Sequence, residues 1–359
     1  MDKILTKQEI VNWLKENNEH ILQNLWKEAD SLRRKYAGDE VFFRGIIEIS
    51  NYCQRRCRYC GINATNKTLK RYLMSIDEIM QVVHTIKRLG YGTVVLQSGE
   101  HPRITRDWTL EIIKRIKNET GLAVTLSLGE RHPDELEAWH QAGADRYLLK
   151  FETASILHFN KIHPPKNKSV WKNRFEILKF LKEIGYETGS GIMLGLPGQT
   201  YEEVADAILL FKELELDMIG NGPFIPHPET PLWEEFHRMA NQPNQVTNDA
   251  LTACKVTALT RIVCPKTNIP STTALATIDP KEGRINGLRW GANVIMPNFT
   301  PACYRQWYQI YPGKSKVIQA PEEQHQQILK MLAREGRLPG QGKGSSLNFL
   351  QRQSLTQFS

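Results

Sequence analysis

The apolar positions change their period at about residue 43. Over residues 5–37, Ile10, Leu14, Ile21, Leu22 and Leu25 recur at helical spacing among charged residues. Beyond that point short β-branched runs alternate with amphipathic stretches. The runs predict strands at 45–50, 93–97, 123–128, 146–151, 188–194, 218–224, 270–275 and 293–296. The stretches between them predict helices at 75–89, 109–118, 133–142, 172–184, 201–214 and 248–264. Ser75 with Glu78, and Thr200 with Glu203, have capping-box spacing. Gly90, Gly121, Gly143 and Gly185 each stand just past a helix, where a left-handed residue is wanted.

Eight strands alternating with helices predict an α/β fold, a (β/α)8 TIM barrel spanning 41–314. An open doubly wound sheet is the runner-up, but it calls for a glycine-rich phosphate loop after its first strand. Here the first strand runs into cysteines instead. Residues 1–40 read as an N-terminal helical extension. Residues 315–359 read as one helix (321–335) followed by a polar tail, LPGQGKGSSLNFLQRQSLTQFS, expected to be mobile.

Composition narrows the class. Of 359 residues, 40% are hydrophobic and 24% charged, ordinary values for a globular chain. No apolar run approaches the ~20 residues that cross a bilayer, and the N-terminus is too polar for a secretory signal, so no membrane partner and a cytoplasmic location are expected. Lys plus Arg is 47 against 39 Asp plus Glu, a net charge of +8. No basic stripe or RNA-binding appendage accompanies it, so no nucleic acid is expected. The six cysteines are distributed unevenly: Cys53, Cys57 and Cys60 are clustered, while Cys254, Cys264 and Cys303 are isolated. In a reduced compartment a tight cluster points to metal or redox chemistry.

The cluster has the pattern C-x3-C-x2-C directly after a strand. Structural zinc wants four ligands, and no fourth lies nearby at suitable spacing. Three thiolates suit a cubane [4Fe–4S] cluster with one iron open for chemistry. Arg55, Arg56 and Arg58 stand in the same loop to offset negative charge. In a barrel the other functional residues belong at the strand ends. Those ends carry Gln97-Ser98-Gly99-Glu100, Glu152, the glycine-rich run 189–200 with Ile192 and Leu194, the pair Thr272–Thr273, and Tyr308 and Tyr311.

The cysteine spacing, with the aromatic Tyr59 before Cys60, resembles the signature of the radical S-adenosylmethionine (SAM) enzymes. Further strings (RRKYAGDEV, VLQSGE, AVTLSLGE, AGADRYLL, LKEIGYETG, GLPGQT, GPFIPHPETPL, GANVIMPN and YQIYPGK) resemble the [FeFe]-hydrogenase maturase HydE family within that group. The resemblance implies that Cys53, Cys57 and Cys60 hold one [4Fe–4S] cluster per chain. It implies that SAM lies beside the cluster, near Tyr59, Gln97, Ser98, Glu100, Glu152, Arg174, Ile192, Leu194 and Tyr308. It implies that one electron splits SAM into methionine and a 5′-deoxyadenosyl radical. Thr125, Lys150, Thr272, Thr273 and Tyr311 would line a lower cavity for a small anionic substrate containing sulfur or iron, and the radical would add to substrate sulfur. Other hydrogenase maturation proteins, and an acidic electron donor such as ferredoxin or flavodoxin, are the expected partners.

Three departures qualify the resemblance. No cysteine follows Gly313, so the auxiliary cluster of some members is not expected. The family's cavity arginine is Lys150 here and its next residue, histidine, is Phe151. Residues are inserted around 164–170. The alternative within the superfamily is a biotin synthase- or methylornithine synthase-like enzyme with another small substrate. Outside it, the alternative is a non-catalytic metal- or nucleic-acid-binding protein.

Overall fold

The computed structural model describes residues 5–166, 168–239, 242–314 and 319–356. Eight parallel strands form the core: β1 (Glu40–Ser50), β2 (Thr93–Ser98), β3 (Ala123–Ser127), β4 (Arg146–Leu148), β5 (Glu187–Ser190), β6 (Met218–Ile219), β7 (Pro270–Ser271) and β8 (Val294–Ile295). Each pairs with its successor, and β8 returns to β1 through Phe42 opposite Val294. The β6–β7 seam is made by a parallel bridge between Met218 and Asn268. The ring is therefore a barrel closed in chain order, as the alternation predicts. β1 is the longest strand at eleven residues, and β6, β7 and β8 are two residues each.

Three strand expectations break at identifiable residues. The run 188–194 stops at Ser190, because Gly191 sits at φ 156° and a Cβ there would lie 2.0 Å from the Gly220 carbonyl. Met193–Leu194 resumes beyond this pinch and pairs with Gly222–Pro223, which interrupts 218–224 in the same way. The run 270–275 is strand only at Pro270–Ser271. Thr272 then caps the helix Thr273–Ile278 by accepting from Leu275 N at 3.3 Å, so capping overrides β propensity. The Ser75–Glu78 capping box forms reciprocally. Thr200 caps Glu203 N at 3.2 Å, but no box forms, because the Glu203 carboxylate turns to Thr153 and to His158 at 3.0 Å.

The N-terminal helices Lys7–Lys15 and Glu19–Ala37 lie against the outer helices. Lys7 pairs with Asp206 at 2.7 Å, Trp26 stacks on Trp290 at 4.2 Å, and the buried Lys255 ammonium donates to Leu14 O at 3.1 Å.

The polar tail departs from its expected freedom: residues 338–356 are seated across the N-terminal ends of the strands. Leu338–Pro339 pairs with β1, and the helix Leu347–Thr356 follows. Charges beneath the barrel explain the seating. Arg146 and Glu187 form a fully buried ion pair at 2.5 Å. Arg146 and Thr93 both donate to Lys343 O, at 2.9 and 3.0 Å. Arg44 and Asn268 donate to Gly344 O, and Ser346 N donates to Glu187 at 2.8 Å. Arg352 pairs with the buried Asp217 at 2.7 Å. The tail's polar backbone supplies partners that buried charges require. A Cβ on Gly92 would lie 1.6 Å from Gly342 O, so only glycine lets the tail approach this closely.

Glu187→Leu should therefore destabilise the fold by about 3–5 kcal/mol, since Arg146 would be left buried without its counter-charge. Urea unfolding followed by circular dichroism should show a lower midpoint with an unchanged slope.

Candidate active site

The loop after β1 carries the three cysteines, and its shape is set by one arginine. Arg71 Nη1 donates to Asn51 O at 2.6 Å and Ile62 O at 2.7 Å, while Nη2 donates to Asn63 O at 2.7 Å and Asn66 O at 3.1 Å. Asn51 Nδ2 ties the loop to Lys70 O and Trp307 O at 2.8 and 2.7 Å. The loop also packs on the end of β2: a Cβ on Gly99 would lie 2.4 Å from Tyr52 O and 2.7 Å from Cys53 Cβ.

Cys53, Cys57 and Cys60 all open onto one internal cavity of ≈ 360 Å³ that runs down the barrel. Backbone amides point at the sulfurs: Arg55 N donates to Cys53 Sγ at 3.4 Å, and the amides of Glu100 and Ile62 serve Cys53 and Cys60. Burial pushes the Cys57 thiol well up, helped by the charges of Cys60 and Cys53; burial and Cys53 push Cys60 up to about 12. An iron cluster would relieve both terms, because it shares the thiolate charge and releases the protons. Among the described residues no set of three ligands closes around a single metal ion. A cubane binds each thiolate to a different iron, and so suits more widely spaced thiols. The donor set fits that group.

Nearly all the sequence-predicted residues converge here. Tyr59, Gln97, Ser98, Glu100, Glu152, Arg174 and Tyr308 line the cavity near the thiols, and Thr125, Lys150, Thr272, Thr273 and Tyr311 line it as well. Ile192 and Leu194 do not; they are fully buried in the surrounding core, and Met193 between them faces the cavity. Side chains alternate along a strand, and the expectation chose the wrong parity. Phe151 is also off this cavity, packed between Phe175 and Phe211 at 5.2 and 5.5 Å.

Polar groups at the cavity differ in how far the protein satisfies them. Thr125 Oγ1 is buried without one. Glu152 adopts φ 63°, an uncommon backbone state that clusters at functional sites, and its carboxylate lies 3.0 Å from Lys150 Nζ. Lys314 stands over the Tyr308 ring at 4.5 Å and pairs with the buried Glu48.

Sequence reasoning missed His163 and Glu130. His163 Nδ1 lies 3.1 Å from Cys57 Sγ and 3.1 Å from Tyr59 Oη. Its Nε2 lies 3.1 Å from Arg174 Nη2 and 3.5 Å from Glu130 Oε1. Arg174 Nε donates to Glu130 at 3.0 Å, and Nη1 donates to Lys150 O. Burial, then the Arg174 charge, push the His163 imidazole down to about 3. Burial alone would raise the Glu130 carboxyl, but the charged guanidiniums of Arg174 and Arg55 beside it hold it well below the usual range. No local signal marks His163, which lies more than a hundred residues from the cysteines in sequence. Of the loop arginines, Arg55 is buried with Glu100 and Glu130 at 3.8 and 3.7 Å, Arg58 pairs with Glu235, and Arg56 is exposed.

Residues 47–211 match the Radical SAM superfamily. The chain is 47% identical over 339 residues to the [FeFe] hydrogenase maturase subunit HydE of Thermotoga maritima, covering 94% of this chain and 93% of that one. It belongs to the HydE family of radical SAM enzymes. Enzymes of this superfamily use a [4Fe–4S] cluster and SAM, so the HydE-type assignment accounts for the three-thiol loop. A 3-methylornithine synthase of Methanosarcina acetivorans is 30% identical over 280 residues, or 77% of this chain and 75% of that one. Among solved structures, methylornithine synthase superposes with a TM-score of 0.80 at 23% identity (94% and 95% coverage). The maturase HydG gives 0.76 at 20% identity (94% and 73% coverage). At these identities both bear on the HydE-family fold alone.

Arg71→Ala should cost a few kcal/mol through the loop carbonyls it leaves unpaired. Anaerobic reconstitution should then give far fewer than the about four irons per chain expected of the parent.

Proposed function

We propose that this chain is an [FeFe]-hydrogenase maturase of the HydE type, cleaving SAM reductively and acting on a small anionic substrate that carries sulfur or iron. The reading is carried by the identity over nearly the whole chain, together with one cavity that joins the three thiols to Thr125, Lys150, Thr272, Thr273 and Tyr311. Cys53, Cys57 and Cys60 would hold the cluster, which when bound would supply the electron for reductive cleavage of SAM. The protein's own residues bind, orient and exclude water. Arg174, fixed by Glu130 and Lys150 O, offers a preset guanidinium to the SAM carboxylate. Glu152 is held by its backbone to accept from the amine or ribose hydroxyls, with Tyr59, Gln97, Ser98, Glu100 and Tyr308 around it. Met193 takes the apolar role assigned to Ile192 and Leu194. Lower down, the Thr125 hydroxyl and the Lys150 ammonium are the donors for the anion.

The electron donor is read from charge. Residues 49–76, 153–175 and 283–321 contain no Asp or Glu, and all three stretches contribute to the cavity. Arg56, Lys67, Lys70 and Arg103 are exposed on or beside the cysteine loop. This surface suits an acidic electron-transfer protein such as a ferredoxin or flavodoxin.

Cys57→Ala should abolish SAM cleavage under reduction. In a strain lacking the maturase, the parent chain should restore hydrogenase activity; SAM cleavage without restoration would instead favour the methylornithine synthase-like reading. Arg56→Glu with Lys67→Glu should slow reduction by a protein donor about tenfold at low salt. Reduction by dithionite should be unaffected, and high salt should narrow the difference.

A further inference from the structure

We propose that His163 is a positioning residue that joins the cluster-ligand loop to the SAM-binding arginine, donating through Nδ1–H to Cys57 and accepting through Nε2 from Arg174. The inference rests on the function proposed above, and it turns on which ring nitrogen carries the proton.

A guanidinium has no lone pair to offer, so Arg174 Nη2 at 3.1 Å from His163 Nε2 can only donate. A proton on Nε2 would point at that donor. Glu130 Oε1 offers Nε2 no better partner, since it lies 3.5 Å away and already accepts from Arg174 Nε at 3.0 Å. Nε2 is thus the acceptor, and in the neutral ring the proton sits on Nδ1. Nδ1 faces Cys57 Sγ and Tyr59 Oη, each at 3.1 Å. The tyrosine has its own proton and can turn it elsewhere, whereas a ligand thiolate only accepts. Phe159 stacks on the ring at 4.8 Å and lies 4.9 Å from the Arg174 guanidinium, which holds the ring plane and the arginine in one stack. The imidazole is 2% exposed, so water does not compete for either nitrogen.

These two hydrogen bonds have separate consequences. A donor on a cluster thiolate stabilises the reduced, more negative state and so raises the reduction potential. An acceptor on Nη2 fixes the guanidinium before SAM arrives and so lowers the cost of ordering it. The same ring serves both, through different nitrogens.

Two variants separate them. Asparagine places its amide near the position of Nδ1, and glutamine reaches the position of Nε2. His163→Asn should keep the parent's cluster potential and EPR spectrum but bind SAM about tenfold more weakly, the effect of one lost hydrogen bond to a charged group. His163→Gln should bind SAM as the parent does but shift the cluster to a more negative potential with an altered EPR signal. The measurements are an EPR-monitored redox titration and equilibrium SAM binding on the reconstituted protein, with iron content and circular dichroism as controls. The proposal is overturned if both variants match the parent in both properties. It is also overturned if both lose potential, SAM affinity and iron in parallel, because a purely structural histidine gives that result. A parent chain that takes up neither iron nor SAM would defeat the functional reading instead, and is distinguished by the unsubstituted control.

Discussion

Three thiols on one loop, Cys57 buried and Cys53 and Cys60 half-buried, set the central constraint of this molecule. Each resists ionisation because the surrounding protein desolvates it, and Cys57 and Cys60 also because neighbouring thiols would share the charge. Holding them as thiolates therefore needs groups that offset this cost. Amides of Arg55, Glu100 and Ile62 point at the sulfurs, and Arg55, Arg71, Arg174 and Lys314 lie near enough to offset their charge. Arg71 has a second part in this: its four bonds are all to loop carbonyls, so the same cation that favours thiolate also holds the chain that presents it.

The barrel meets this constraint by separating two kinds of polar chemistry. Beneath the strands, Arg146, Glu187, Arg44 and Asp217 are closed off by the folded-back tail, with nearly every charge given a fixed partner. Above, Thr125 is left without a partner and Glu152 is held in a strained backbone state. A satisfied network rigidifies, while an unsatisfied one awaits a ligand. The division places a rigid base under an internal cavity in which the Thr125 hydroxyl has no protein partner.

Much of this was legible in the chain. The alternation of runs and amphipathic stretches gives the closed eight-strand ring, because strand and helix periods are local properties. Cys53, Cys57 and Cys60 needed only their spacing. Most of the predicted site residues were found because parallel barrels put strand ends at one mouth. The misses have equally physical causes. Ile192 and Leu194 face the core because side chains alternate along the strand and Met193 between them takes the cavity side. Thr272 caps a helix where its composition suggested strand. The tail reads as mobile because it is poor in apolar residues, yet it is seated by buried charges whose need for carbonyl partners has no local signature.

The sequence by itself determined the fold class, the thiol set and the family, since each is written in spacing, period and order along the chain. Only the tertiary structure decided that Arg71 staples the loop, that Phe151 leaves the cavity, and that His163 stands between Cys57 and Arg174. Those are contacts between residues far apart in sequence. Hydrogen-bond direction and burial are properties of the packed interior, and they exist only once the barrel has closed.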